Sequence, residues 1–292
     1  MGRLRSPTLL ALVAASLALA ALPGVAAAGA PPAPTRPVPP TMIQPTPRTA
    51  PPWLGIEMTA SPDGGVIVSH AVRGAPAAMA GIRDGDRITK LDGAPAGAPA
   101  DVARTISGKA NGAVVDVAYM RDGSEHSVKV TLAPRPTADE MMRMEYVGTF
   151  APTWAGVTSV SGTVPASPQA ARGRVVVVDF WEIACGPCRM TMPTLDAWQA
   201  KYGAQGFNVL GITTDTATDA ALFVSRAGYH YGIASDTVGA TFKTYRVHNI
   251  PALFVIDKRG VIREVSLGYD PSEQAHLERV VQQLLAEPAP TP

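Results

Sequence analysis

Cysteine is almost absent from this sequence, which has 292 residues and only two cysteines, Cys185 and Cys188. A disulfide framework normally uses more cysteines and closes longer loops, so a purely structural disulfide is not expected. A structural zinc site would need four ligands, and the five histidines show no ligand spacing around the pair. We therefore expect no metal and no other cofactor. Both cysteines lie in one Cys-x-x-Cys motif, which instead indicates thiol–disulfide redox chemistry.

An excess of charge of one sign is also lacking. The chain carries 25 basic and 24 acidic residues, for a formal net charge of +1, and it has no run of lysine and arginine. Proteins that bind nucleic acids concentrate positive charge on one face or in one segment. We therefore expect no nucleic-acid partner.

The one extended apolar stretch lies near the N-terminus. Arg3 and Arg5 precede the apolar segment 9–22, and small residues follow at 26–28. A positive start, an apolar middle and a small-residue cleavage site are typical of a secretory signal, so we assign 1–28 to a signal peptide. An uncleaved membrane anchor is the alternative, which the short apolar segment disfavours. In both cases the rest of the chain is expected to be exported.

Proline marks the next boundary. Residues 31–52 contain ten prolines, a composition that favours an extended spacer over a helix or a sheet. We therefore assign 29–51 to a proline-rich linker. Changes of pattern divide the remaining chain into a strand-rich domain at 52–135, a connector at 136–147, a domain of alternating strands and helices at 148–287, and a tail at 288–292. The connector is predicted to form a helix at 138–146.

The domain at 52–135 has short strands and one main helix. Strands are predicted at 66–68 and 87–91, a helix at 101–107, and a hairpin at 114–120 and 124–132. This content predicts a small, partly open β-barrel.

The same stretch resembles a PDZ domain of the bacterial HtrA-like kind. The run GAPAAMAGIRDGDRI at 74–88 carries the resemblance, together with Trp53, Leu54, Gly55 and Ile56. A glycine-containing turn can point backbone N–H groups at a carboxylate, and an extended peptide can then add as a strand beside it. The resemblance therefore implies that these four residues bind the C-terminal peptide of a partner protein. A spacer or dimerisation module is the alternative.

The domain at 148–287 alternates between strands and helices. The pattern predicts a buried strand at 174–180, a helix at 189–201, a strand at 207–212, helices at 217–227 and 240–245, a hairpin at 252–256 and 261–267, and a last helix at 272–285. This order predicts an α/β domain, a small sheet between layers of helices, in the order of the thioredoxin fold.

The two cysteines follow the buried strand and open a helix. Unpaired backbone N–H groups and the helix dipole stabilise a thiolate there, so Cys185 is predicted to be the nucleophile. Cys188, one turn further along, is predicted to resolve the mixed disulfide that Cys185 forms. Gly186 and Pro187 keep the turn tight, and the missing N–H of proline costs little in the first turn.

Two further positions bear on this chemistry. Asp179 interrupts an apolar strand, where a charge is costly unless it has a partner or a role. We predict that it exchanges a proton with Cys188 and has a raised pKa; a solvated position at the strand end is the alternative. Pro251 follows Ile250 at the start of another strand, which indicates a turn and a cis peptide bond.

Three motifs in this domain resemble the TlpA/ResA-like periplasmic thioredoxins. They are GTFAPTW at 148–154, VVVVDFWEIACGPCRMTMPTLDAW at 175–198 and VHNIPALFVIDKRGVI at 247–262. The resemblance implies a thioredoxin fold in the periplasm, with protein disulfide clients and a thiol electron donor at the membrane. It also implies that Trp181 supports the active site. The Ile250–Pro251 bond would be cis, lie against Cys185 and pair its backbone with the substrate.

Two residues depart from the family pattern. Ala184 stands where the family usually has tryptophan, which removes a flat contact surface. Gly211 stands where cytoplasmic thioredoxins place a lysine near the buried aspartate, so Asp179 is expected to lack that counter-charge. The export signal and the dithiol predict an exported thiol–disulfide oxidoreductase. Gly186 and Pro187 between the cysteines resemble reducing thioredoxins, and the resemblance implies that the protein works mainly as a reductase. The alternative is a peptide-binding adaptor in which the PDZ domain provides the function. A thiol peroxidase is disfavoured because the Pro-x-x-x-Thr-x-x-Cys motif is missing.

Overall fold

The computed structural model describes residues 50–154 and 156–289. The expected signal peptide, nearly all of the proline-rich linker and the last three residues of the tail lie outside the described residues. Within the described part of the chain, no helix combines the length and the apolarity needed to cross a membrane.

The first domain is a twisted antiparallel sheet with two helices. Its elements are β1 Pro52–Trp53, β2 Ile56–Ala60, β3 Val66–Ala71, α1 Pro76–Met79, β4 Arg87–Leu91, β5 Ala94–Pro95, α2 Pro99–Ser107, β6 Val114–Arg121, β7 Ser124–Thr131 and β8 Ala133–Pro134. The strand order is β2-β3-β4-β6-β7, β5 pairs with β4, and β1 pairs with β8. Strand β2 therefore lies at an edge of this sheet.

The connector forms helix α3, Ala138–Tyr146, with the bounds that its sequence predicts. Thr137 caps its first turn, since the Thr137 hydroxyl accepts a hydrogen bond from Glu140 N and the Glu140 carboxylate accepts one from Thr137 N. This reciprocal cap satisfies backbone N–H groups that a helix start otherwise leaves free. Tyr146, at the end of the helix, is buried in the core of the second domain.

The second domain is a six-stranded mixed sheet between helices. Its elements are β9 Thr158–Ser161, β10 Val175–Trp181, α4 Gly186–Tyr202, a 3₁₀ turn at Gly203–Gln205, β11 Phe207–Thr213, α5 Ala217–Ala227, β12 Gly232–Ser235, α6 Ala240–Thr244, β13 Ala252–Ile256, β14 Ile262–Leu267 and α7 Pro271–Ala286. The strand order is β14-β13-β10-β11-β12-β9, and β10 pairs in parallel with β11 and antiparallel with β13. The predicted α/β thioredoxin fold is confirmed, and so is the small, partly open β-barrel domain with one main helix, α2, before it.

The central strand β10 divides the second domain into two cores, because successive side chains of a strand point to opposite faces. Val175, Val177 and Trp181 belong to a core with residues of α4, α5 and α7. Val176 and Phe180 belong to the other core, with α3 and α6. Cys188 lies in the first core. This alternation places the Asp179 side chain on the same face as Cys188.

Two neighbouring strands of this sheet, β9 at the edge and β12 beside it, are missing from the sequence prediction. Each has four residues, and Gly232, Ala234 and Ser235 of β12 have low intrinsic preference for strands. Pairing with β11 on one side and β9 on the other holds β12 in the sheet. Gly232 is needed there, since a Cβ atom would lie 2.2 Å from the Thr163 carbonyl oxygen. These neighbours are distant in sequence, so local sequence does not show them.

Candidate active site and peptide groove

Cys185 and Cys188 form a disulfide at the start of α4. Cys185 is the N-cap residue, and Cys188 N donates a hydrogen bond to Cys185 Sγ at 3.1 Å. Cys185 is half-buried, whereas Cys188 is 0% exposed. Pro187 occupies the first turn of the helix, where its missing N–H is harmless. The outer sulfur is thus accessible and held by helix N–H groups, while the inner sulfur is shielded.

The end of β11 holds the loop that precedes Cys185. Asp215 Oδ2 accepts hydrogen bonds from Ile183 N at 2.8 Å and from Thr213 Oγ1 at 2.6 Å. Glu182 Oε1 accepts one from Thr214 Oγ1 at 2.6 Å. Asp215 and Glu182 are missing from the sequence prediction. The sequence does carry a signal for these contacts. Both residues follow neighbouring parallel strands, β10 and β11, and the carboxyl ends of parallel strands meet at one edge of the sheet.

Asp179 is 0% exposed, so the solvated position considered as an alternative is wrong. Burial raises the pKa of the Asp179 carboxyl to about 8. Within the described residues, neither carboxyl oxygen has a hydrogen-bond partner. A buried acid with a pKa near neutrality is suited to exchange protons at physiological pH.

Gly211 lies directly beside Asp179, since the two residues are paired across β10 and β11. A Cβ atom at this glycine would lie 2.8 Å from Ile233 Cδ1, 2.9 Å from Trp181 Nε1 and 3.2 Å from Tyr231 Cε2. No side chain fits there without movement of these neighbours. The space where a side chain at position 211 would lie is occupied by the rings of Trp181 and Tyr231.

The Ile250–Pro251 peptide bond is cis, as the family resemblance implies. Ala252 pairs with Phe180 in the antiparallel register of β13 and β10, which places Pro251 at the end of β10 where the dithiol loop begins. Ile250 and Cys185 are both partly buried against the core that contains Cys188. The structure therefore brings the proline segment and the dithiol to one edge of the sheet, although 66 residues separate Cys185 from Pro251.

All four residues predicted to bind a peptide line a groove of about 300 Å³ in the first domain. One wall is the turn into β2 and the strand itself, and the other is α2. The lining residues are Pro51, Pro52, Trp53, Leu54, Gly55, Ile56, Met58, Val102, Ala103, Ile106, Ser107 and Arg135. An apolar groove beside an edge strand fits an added peptide strand whose side chains enter alternate pockets.

Gly55 shapes the turn at the closed end of this groove. Its φ is +85°, and a Cβ atom there would lie 2.2 Å from Ala75 Cβ. The Gly55 and Leu54 carbonyls accept hydrogen bonds from Val72 N and Ala77 N at 3.0 and 2.9 Å. Only glycine fits this position, so any substitution of Gly55 would distort the domain as well as the groove.

Polar contacts join the first domain to the connector. Glu145 accepts hydrogen bonds from Arg73 N on its carboxylate and from Arg73 Nε on its carbonyl, both at 3.0 Å. Arg73 also donates to the Val147 carbonyl. His70 lies between two carboxylates, with Nδ1 3.4 Å from Asp84 and Nε2 3.1 Å from Glu145. Sequence patterns did not indicate these contacts.

A second contact joins the groove strand to the proline segment. Arg246 Nη1 lies 3.2 Å from both carboxylate oxygens of Glu57, which is part of β2. Arg246 precedes Pro251 by five residues. The strand that lines the peptide groove therefore touches the segment that leads to Pro251. No group of three or more potential metal ligands occurs among the described residues.

Comparisons with known proteins match both domains. Residues 147–265 match the AhpC/TSA family and residues 52–132 match the PDZ domain. Protein DipZ of Mycobacterium tuberculosis (strain CDC 1551 / Oshkosh) is 30% identical over 162 residues, which are 52% of this chain and 23% of DipZ. The thiol-disulfide oxidoreductase ResA of Bacillus anthracis is 32% identical over 105 residues, 35% of this chain and 60% of ResA. The chain therefore spans only part of each relative.

Among solved structures, a thioredoxin family thiol:disulfide interchange protein from Chlorobium tepidum TLS is similar to the second domain. The identity is 27% and the TM-score is 0.41, with 48% of this chain and 97% of that chain covered.

Proposed function

We propose that this chain, in which a thioredoxin-like domain of the AhpC/TSA family follows a PDZ domain, is an exported thiol–disulfide oxidoreductase that reduces protein disulfides. The observation that carries the proposal is the dithiol itself. A half-buried sulfur at a helix start is bonded to a fully buried one, on the face of the sheet that also holds a buried acid. Relatives named thiol-disulfide oxidoreductases support the assignment. The proposed location is the periplasm, and no cofactor besides the dithiol is required.

The reaction follows from the different surroundings of the two sulfurs. In the reduced protein, the Cys185 thiolate attacks one sulfur of a client disulfide, and the other client sulfur leaves as a thiolate. The Asp179 carboxylate then takes the proton of the Cys188 thiol. The Cys188 sulfur attacks Cys185 Sγ, which closes the disulfide and releases the second client thiolate. Two electrons have then passed to the client, whose two thiolates take protons from water, while the Cys188 proton stays on Asp179 until it is lost to solvent. A thiol donor at the membrane then reduces the Cys185–Cys188 disulfide again.

The direction of transfer depends on the reduction potential of the dithiol. Gly186 and Pro187 between the cysteines favour a reductant, as in reducing thioredoxins. We expect a potential near about −270 mV, measured by equilibration with glutathione buffers at pH 7. A value near about −120 mV would instead identify an oxidase and would contradict the reductase assignment.

The PDZ domain is proposed to recruit clients through their C-terminal residues. The groove beside β2 supplies the binding surface. The exposed Arg246–Glu57 ion pair joins β2 to the segment that leads to Pro251. Capture of a client at a fixed position raises the effective concentration of its disulfide, up to millimolar levels for short tethers. Recruitment should therefore lower KM without changing the chemistry.

Blocking the groove tests this recruitment. Ala103 is an exposed groove residue on α2, so Ala103→Trp fills the groove without disturbing the core. We expect about a tenfold or greater loss of kcat/KM toward a client with its natural C-terminus, and no loss toward a client without its last residues. Ala100→Trp, in the exposed first turn of α2 and outside the groove, is the matched control. Equal rates on both clients in the unmodified protein would rule recruitment out.

A peptide-binding adaptor is the second candidate, and the groove is the observation that favours it. In that case the groove variant should lose function in the cell, while loss of the dithiol should not. Gly55 is unsuitable for this comparison because its substitution would distort the domain.

A further inference from the structure

Three buried polar side chains share the core face that contains Cys188: Asp179, Trp181 and Tyr231. The buried atoms are both Asp179 carboxyl oxygens, Trp181 Nε1 and the Tyr231 hydroxyl, and none has a hydrogen-bond partner among the described residues. Buried polar groups are almost always hydrogen-bonded to protein or to an ordered water. Three such groups in one core, beside a reactive dithiol, indicate a shared role.

Gly211 brings the three groups together. It is paired with Asp179, and the position of its absent Cβ is 2.9 Å from Trp181 Nε1 and 3.2 Å from Tyr231 Cε2. The two aromatic rings therefore close over the glycine beside the carboxyl group. Tyr231 itself is 1% exposed. Gly211 is the reason that the rings can approach, because any side chain there would collide with them.

The donors and acceptors in this cluster are complementary. An ionised carboxylate only accepts hydrogen bonds, and an indole N–H only donates. Burial, and secondarily the nearby Asp179 charge, raises the pKa of Tyr231 well above its usual range. Tyr231 therefore stays a neutral phenol and keeps its O–H proton. The cluster holds one acceptor, whose charge changes during the reaction, and two neutral donors.

We propose that Tyr231 is a positioning residue for the proton transfer: with the Trp181 N–H, its hydroxyl stabilises the Asp179 carboxylate through a bridging water. This inference rests on the proposed role of Asp179 as the base that takes the Cys188 proton. When Asp179 takes that proton, its charge disappears and the water reorients, while Cys188 attacks Cys185 Sγ.

Tyr231→Phe removes the hydroxyl and leaves the ring in place. Loss of a donor to a charged acceptor should raise the pKa of Asp179 by about one unit, measured by NMR titration of the ¹³C-labelled carboxyl. The rate at which Cys188 resolves a mixed disulfide with glutathione should then fall about tenfold at pH 7 and recover at alkaline pH. Tyr229→Phe is the control, because its ring centroid lies 6.1 Å from that of Tyr231 and the side chain is partly exposed.

A second measurement covers the case in which Tyr231→Phe perturbs folding. Replacing all tyrosines by 3-fluorotyrosine makes the phenol a stronger donor, so the pKa of Asp179 should fall in the otherwise unchanged protein. An unchanged Asp179 pKa in both Tyr231→Phe and the fluorinated protein would overturn the inference. Asp179→Asn tests the role of Asp179 separately from that of Tyr231. If the resolution step keeps its pH dependence in Asp179→Asn, the proposed role of Asp179 is wrong as well.

Discussion

Cys185→Ser is expected to abolish reduction of insulin disulfides, with a loss of at least about a thousandfold in rate. The serine hydroxyl does not ionise near neutral pH and forms no disulfide, so the first covalent step disappears. The substitution is nearly isosteric at the N-cap, where serine is itself a favoured residue, and the fold should persist. The measurement is the rate of insulin precipitation with a chemical thiol as electron source.

Cys188→Ser provides the informative counterpart to this variant. It keeps the nucleophile and removes the resolving sulfur, so a mixed disulfide between Cys185 and the client should accumulate. Non-reducing electrophoresis would show it as a thiol-sensitive adduct. Undiminished insulin reduction by Cys185→Ser would refute the enzymatic assignment. Survival of cellular function in Cys185→Ser but not in Ala103→Trp would establish the adaptor.

Asp179→Asn is expected to stabilise the oxidised protein at pH 7 by an amount on the order of 4 kcal/mol. An unfolded aspartate loses its proton near its ordinary pKa of 3.8, whereas burial raises the folded pKa to about 8. Between these values the folded state binds a proton that the unfolded state has lost. Stability therefore falls as pH rises from about 4 to about 8, and a neutral amide removes that loss. Denaturant unfolding at pH 4 and pH 7 measures the difference, which should be small at pH 4.

The same variant should resolve mixed disulfides about ten- to a hundredfold more slowly at pH 7, because the proton acceptor of Cys188 is gone. A variant that is more stable but less active would indicate that the buried carboxyl group serves the reaction at a cost in stability.

Asp257→Asn is the matched control, because Asp257 is also buried but has the opposite shift. Burial alone would raise the pKa of Asp257, yet hydrogen bonds from backbone N–H groups and from Arg259 and Arg263 lower it overall. Its stabilising effect is present at neutral pH and is lost on acidification through the folded pKa. Asp257→Asn should therefore destabilise the protein at pH 7. If both variants change stability in the same direction, the account of Asp179 is wrong.

The sequence by itself determined the local elements and the chemistry that depends on them. Helices α3 and α5 and strands β4 and β13 have the bounds that the residue pattern predicts. The dithiol at a helix start and an aspartate inside an apolar strand are features of adjacent residues. Side-chain periodicity and backbone preference depend on residues a few positions apart. They can therefore be recognised in one segment of the sequence without knowledge of its tertiary neighbours.

The tertiary structure decided which distant residues meet. The approach of Trp181 and Tyr231 to Gly211 depends on the register of neighbouring strands, and β12 is held between β11 and β9. The Arg246–Glu57 contact joins residues 189 positions apart. Such pairings arise from the packing of whole elements, and no local propensity encodes them. The buried polar groups near Gly211 and the Arg246–Glu57 ion pair are for that reason visible only in the folded chain.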